Sequence, residues 1–218
     1  MTSTSVRLTP QEAWDRLAEG NARFVKGSVL HPRQSADRRR ELTDGQHPHA
    51  VVFGCSDSRP AAEIVFDEGL GDMFVVRNAG QVVSPSMVGS IEFAVAILDV
   101  PILVVLGHEA CGAVRAAIDS TRPDAPELPA KIWRLIAPIV PTVHRVARAG
   151  SAEPSAADAD AVGVEHIQET VDELLQASSI VADAVAAGRL GIVGAIYRLG
   201  EGTVVPHVVK GAVSIPGL

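Results

Sequence analysis

The sequence predicts an α/β fold: a central, mainly parallel β-sheet flanked by helices, with an N-terminal helical arm and a C-terminal helix plus strand extension. Three observations carry this. Short unbroken apolar runs at Ala50–Phe53, Met73–Val76 and Ile102–Leu106 each end abruptly in glycine or polar residues, the pattern of strands buried on both faces. Segments of helical periodicity alternate with them, as in right-handed strand–helix–strand crossovers. The chain has 218 residues, 47% of them hydrophobic, which is enough to fill one core. It reads as a single domain over 1–218, with the arm over 1–45 and the α/β core over 50–218.

The elements follow in order. Thr9, Pro10 and Glu12 supply an N-cap, a first-turn proline and a capping-box acid. Trp14, Leu17, Ala18, Ala22, Phe24 and Val25 then recur at helical spacing, and Gly27 ends the helix. A second helix is expected from about Ser35 to Leu42. Its basic run Arg38–Arg40 sits beside Asp37 and Glu41 and reads as a solvated face. A helix from Pro85 to Leu98 carries Val88, Ile91, Val95 and Leu98 on one side, Pro101 opens the third strand, and another helix begins near Gly112. The helical pattern from Leu128 to Ala149 must break at Pro138 and Pro141. Gly150–Ala161 reads as a flexible surface connection. Val164–Ala186 is expected as one long helix with Ile167, Val171, Leu174, Leu175 and Ile180 along its stripe. Two final strands, Leu190–Tyr197 and Thr203–Val209, meet at Gly200–Gly202, and Pro206 marks the last as an edge strand.

Composition narrows the function. A net charge of −7 lacks the basic footprint of nucleic-acid binding. No apolar run reaches the roughly 18 residues of a membrane helix, and Met1–Thr9 carries no signal-peptide core. A cytoplasmic protein is expected, with no nucleic-acid or membrane partner. In that reducing compartment the two cysteines, Cys55 and Cys111, are not expected to form a disulfide.

Two segments carry chemistry: Cys55-Ser56-Asp57-Ser58-Arg59 and His108-Glu109-Ala110-Cys111. Each begins just past a buried strand, and open parallel sheets bind ligands outside the carboxyl ends of their strands. Cys55 and His108 are therefore expected at one sheet edge. Two cysteines, a histidine and an aspartate are donors that zinc takes. Cys55, Asp57 and Arg59 alternate, so an extended chain puts them on one face. Arg59 can pair bidentately with Asp57 and compete with a metal for it. Plainer roles exist for each residue: core cysteines, a capping or core histidine, an N-cap aspartate, a surface ion pair. The joint pattern, which uses every cysteine in the chain, favours a metal.

The Cys55-Ser-Asp-Ser-Arg59 and His108-x-x-Cys111 pair resembles the signature of the β-class carbonic anhydrases. The likeness runs from the first helix to about residue 115 and more loosely to the C-terminus. It implies reversible, zinc-dependent hydration of carbon dioxide to bicarbonate and a proton, the reaction of a carbonate dehydratase, with one Zn2+ per chain. Cys55, His108 and Cys111 match the permanent ligands. Asp57 and Arg59 match a catalytic dyad that orients the attacking hydroxide. Arg59 holds Asp57 off the metal in an open state, and Asp57 becomes a ligand in a closed one. Gln46, Phe74 and Gly112 match substrate-binding positions, and Gly80 and Gly112 match loop glycines where close backbone approach is expected. The resemblance also implies a homodimer or homotetramer. The first helix offers modest support, since Trp14 and Phe24 have no obvious partner within the chain.

Three residues depart from the family pattern: Pro60 where many members have valine, and Ala79 and Phe93 where plant-like members have valine and tyrosine. Val52 stands where some members place the tryptophan of a second bicarbonate site; Arg77 could still supply that site's arginine but reads rather as a loop ion pair. Mainly open-state behaviour is therefore expected at neutral pH and above. Two thiolates weaken zinc as a Lewis acid, so activity should favour alkaline pH. His31, His47, His49, His144, His166 and His207 read as surface or capping residues, none assignable as a proton shuttle. The competing readings are a carbonyl sulfide or carbon disulfide hydrolase on the same scaffold, a closed structural zinc module and, more weakly, a thiol redox protein.

Overall fold

Five strands pair in the order β2-β1-β3-β4-β5: β1 Ala50–Cys55, β2 Met73–Asn78, β3 Ile102–His108, β4 Gly191–Tyr197 and β5 Val204–Gly211. The first four run parallel, and β5 returns antiparallel along β4. Pro206 lies on this edge strand, beside a bulge at Gly194/Ala195, where a missing N–H removes no central ladder bond. The structure, a computed structural model, describes residues 7–218. Residues 1–6, part of the stretch read for a targeting signal, lie outside the described residues. Among the described residues no helix is long and apolar enough to cross a membrane.

Alternation along each strand divides the core into two layers. Val51, Phe53, Leu103 and Val105 face helices α4 (Pro85–Ala96), α8 (Ala159–Ala177) and α9 (Ser179–Ala186). Ala50, Val52, Ile102 and Val104 face α1 (Pro10–Val25) and the segment around α3 (Ala62–Val65). Buried side chains such as Phe53 and Leu103 each contribute about 1.5–3 kcal/mol. A third apolar cluster joins Cys55, Val82 and Cys111 to α5 (Gly112–Asp119), α6 (Ala130–Ile136) and α7 (Val140–Ala149).

The capping box of Thr9 and Glu12 forms as expected, α2 spans Ala36–Glu41 with Ser35 as N-cap, and a 3₁₀ turn over Ala137–Ile139 interrupts the proline-bearing helical stretch. Three expectations change. The long C-terminal helix is two helices. Ser178 breaks it with extended dihedrals, caps the Val181 N–H and donates its hydroxyl to Glu92 on α4, and Ile180 falls outside the buried stripe. The connection after Gly150 contains a 3₁₀ turn at Pro154–Ala156, and α8 begins at Ala159. The first helix has a partner in its own chain: Trp14 and Leu17 are buried against β1, β3 and β4. The argument for assembly from an unpartnered Trp14 therefore falls away.

A charge network ties α1 to the turn after α3. Glu68, its side chain 1% exposed, accepts two hydrogen bonds from Arg16 and one from Arg33, which also binds Asp72. Asp67 accepts from Arg23 and from the Leu30 and His31 N–H groups. Burial alone raises the Glu68 carboxyl, but hydrogen bonds and charge from His49 and Arg16 outweigh it and hold the group well below the usual carboxylate range. A depressed folded-state pKa stabilises above the unfolded carboxylate value of about 4.3, and that stability is lost as pH falls toward the folded value. Glu68→Gln should therefore lower urea-unfolding stability at pH 7 by about 3–5 kcal/mol, with the gap to wild type narrowing below about pH 4.

Candidate metal centre

Cys55 ends β1 and His108 ends β3, on strands paired in parallel up to Gly54↔Leu106. The pairing brings the two side chains to one edge. Cys111 follows as the N-cap of α5, after Ala110 turns the chain with φ +49°. One ligand atom from each of Cys55, His108 and Cys111 lies within 4.8 Å of the others, and all three residues are buried.

The histidine is oriented as a donor. Its Nδ1 lies 2.8 Å from the Glu109 carbonyl, so that nitrogen carries the hydrogen and Nε2 keeps its lone pair. Nε2 is buried and has no hydrogen-bond partner. Such an atom beside two sulfurs fits a thiophilic cation.

The two thiols share their protons unequally. Hydrogen bonding with Cys111, against the effect of burial and with help from the Gly80 N–H, lowers the Cys55 thiol. The same contact, with burial, pushes Cys111 up, although the Val114 and Ala113 amides favour its thiolate. Of the two thiols Cys55 is the more readily deprotonated, and a bound cation would favour its thiolate further.

Asp57 stands beside this trio. Its Oδ1 accepts from the Arg59 backbone N–H (2.9 Å) and Nε (2.8 Å), and its Oδ2 accepts from Nη2 at 2.7 Å. Oδ2 lies 3.9 Å from His108 Nε2 and takes the smaller share of these bonds. Arg59 also donates to the Ala110 carbonyl, tying the two motifs together. Its hydrogen bond holds the Asp57 carboxyl well below the usual carboxylate range.

The other candidates are more dispersed. Gly112 opens α5 with free space where a Cβ would stand, so no close approach is made there among the described residues. Gly80 meets that expectation: its φ is +82°, and a Cβ would lie 2.8 Å from the Ala113 Cβ. Gln46 is exposed in the loop entering β1, at the strand end opposite Cys55. Phe74 pairs with Val51 near the start of β2 and tilts against Phe93, ring centroids 6.1 Å apart.

Several supporting residues escaped the sequence reading. Arg77 makes no loop ion pair among the described residues and donates instead to the Cys55 and Asp57 carbonyls. Glu109 accepts from Arg198 and from the Leu199 N–H, fastening the metal turn to the end of β4. His166, expected at the surface or a cap, is buried on α8 against the Gly80 carbonyl. A buried charge or histidine needs a partner, but nothing in sequence shows which partner it finds.

The carbonic anhydrase family profile matches residues 50–204 of this chain. The chain belongs to the β-carbonic anhydrase family. As such it is an enzyme of the lyase class. It is 47% identical to a carbonic anhydrase of Mycolicibacterium smegmatis over 196 residues, covering 89% of this chain and 92% of that one. It is likewise 47% identical to carbonic anhydrase 2 of Mycobacterium tuberculosis over 200 residues, covering 90% and 92%. The solved β-carbonic anhydrase CafA of Aspergillus fumigatus superposes with a TM-score of 0.66 at 28% identity, covering 88% of this chain and 89% of that one.

Gly80 is the tightest point in the loop over Cys55. Gly80→Ala combines a strained φ with the Ala113 contact, and should destabilise the enzyme by roughly 1–3 kcal/mol, read as a lower Tm in thermal melts. An unchanged Tm would mean that the loop yields.

Proposed function

We propose that the enzyme hydrates carbon dioxide reversibly to bicarbonate and a proton at one zinc ion held by Cys55, His108 and Cys111, with Asp57 and Arg59 as its catalytic pair. The observation that carries this reading is the convergence of two sulfurs and an unpartnered buried imidazole nitrogen beside a carboxylate restrained by arginine. Three protein donors with a fourth position left open make a catalytic zinc set rather than a structural one. Bound there, zinc supplies the Lewis acidity that makes water a nucleophile near neutral pH.

The chain's own groups do the rest. Asp57 Oδ2, which accepts only one of the Arg59 bonds, would accept a hydrogen bond from the attacking hydroxide and so aim the oxygen lone pair at the carbon. Arg59, anchored on the Ala110 carbonyl, keeps Asp57 off the metal. Freed from Arg59, Asp57 would be able to serve as a fourth donor and close the site. Carbon dioxide carries no charge and needs a dry, apolar pocket, to which Phe74 contributes its ring, Gly112 open space and Gln46 an amide toward bound product. Gln46 and Phe74 sit away from the Cys55 end of β1, so they serve the centre of a second copy in a homodimer or homotetramer. The arm expected over 1–45, described from residue 7, and the metal-binding core over 50–218 make one functional unit, which works in the reducing cytoplasm.

Stopped-flow hydration by zinc-replete enzyme should be fast and should rise toward alkaline pH. Asp57→Ala and Arg59→Ala should keep zinc and lose about 100-fold or more in turnover. Full activity in Arg59→Ala would remove the pair from the mechanism. Cys111→Ala should lose zinc by elemental analysis, and full occupancy there would remove it from the ligand set. Zinc-loaded enzyme inactive at every pH would point to a sulfur analogue of carbon dioxide or to a closed site.

A further inference from the structure

The loop between β2 and α4 folds back over Cys55, and a histidine from a helix distant in sequence holds it there. Asn78 staples the loop with both ends of its amide: Nδ2 donates to the Val82 carbonyl at 2.7 Å, and Oδ1 accepts from the Val82 N–H at 2.9 Å. Between these anchors two peptide planes hinge at Gly80, which has no Cβ to restrict them and sits at φ +82°. One plane presents the Gly80 N–H to Cys55 Sγ at 3.4 Å. The other presents the Gly80 carbonyl to His166 Nε2 at 2.8 Å. A carbonyl only accepts, so Nε2 carries the hydrogen and donates it.

His166 lies on α8 and is 5% exposed. A buried imidazole spent on one loop carbonyl is an expensive way to fill space, since valine or leucine would pack without a polar partner. Its bond fixes the plane that the glycine leaves free, and with it the neighbouring N–H on the sulfur. An N–H donated to a thiolate draws charge from it, which weakens the sulfur as a metal donor and sharpens the metal as a Lewis acid.

We propose that His166 is a positioning residue of the metal centre: by holding the Gly80 carbonyl it keeps the Gly80 N–H on the Cys55 sulfur and so sets how strongly that thiolate donates. The proposal rests on the metal reading above, and cobalt(II) as the probe separates the two. Wild-type enzyme loaded with cobalt should show sulfur-to-cobalt charge-transfer absorption. In His166→Phe, which keeps a ring and loses the donor, the band should move to lower energy, because the sulfur relieved of its N–H bond becomes the stronger donor. His166→Gln, which restores an N–H donor, should keep the wild-type band. A wild-type protein without the band would sink the metal reading and this inference with it. A wild-type band that His166→Phe leaves unmoved, in protein folded by circular dichroism, would sink this inference alone. Cadmium-113-loaded wild type gives a second test that needs no variant. The N–H···S bond should produce scalar coupling between the metal and the Gly80 amide proton, and its absence overturns the proposal whether or not His166→Phe folds.

Discussion

The parallel pairing of β1 with β3 is the constraint on which the rest of the molecule depends. Its register joins Gly54 to Leu106, and the residues just beyond are the ones that carry chemistry. Neither Cys55 nor His108 is near the other in sequence, and no local turn could bring them together. The two buried strands do so because their apolar side chains must be covered on both faces. Gly107 lets the side chains of α8 and β4 come close on the β3 side. A Cβ there would meet the Cδ1 atoms of Ile167 and Ile196 at 2.9 Å, so a larger residue at this last-but-one position of β3 would push those side-chain ends aside. The two faces of the sheet thus fix one edge, and the edge fixes the site.

The supporting shell shows a second regularity. Around the trio, side chains are held mostly by backbone carbonyls and amides: Arg77 by the Cys55 and Asp57 carbonyls, Arg59 by that of Ala110, His166 by that of Gly80, and Glu109 by the Leu199 amide. Backbone groups at strand ends are fixed by the sheet itself, so anchoring on them transfers the rigidity of the core to the site. The Glu68 network works differently. Its arginines and carboxylates hold one another, and its task is to fasten α1 against the turn after α3 rather than to orient a reacting group.

This contrast explains what the sequence made legible. Apolar runs announced the strands, and the position of Cys55 and His108 just past them announced a shared edge, because both inferences rest on local pattern. Thr9 and Glu12 gave the first helix for the same reason. The break at Ser178 was hidden because the serine's hydroxyl is satisfied by Glu92, a residue on another helix. The partner of Trp14 was hidden because the face that buries it exists only once three strands have aligned. Arg77 and His166 were misjudged because carbonyl acceptors have no side-chain signature. Local patterns show which residues face a core, whereas the partner of a buried polar group depends on the register of elements far away.

On the proposed reading the charges of the centre also balance. Two thiolates neutralise a divalent cation, His108 donates through a neutral nitrogen, and Asp57 is offset by Arg59. A centre with no net charge has no long-range hold on an anion. Carbon dioxide is neutral and loses nothing by this, while bicarbonate and its negative charge are released from a site that does not trap them. On this reading the arginine does two things at once: it aims the carboxylate and it cancels a charge that would draw in stray cations. Replacing either member of the pair alone would leave an uncompensated charge beside the metal, which is why the Asp57–Arg59 unit is best regarded as one group with two functions rather than as a base and its support.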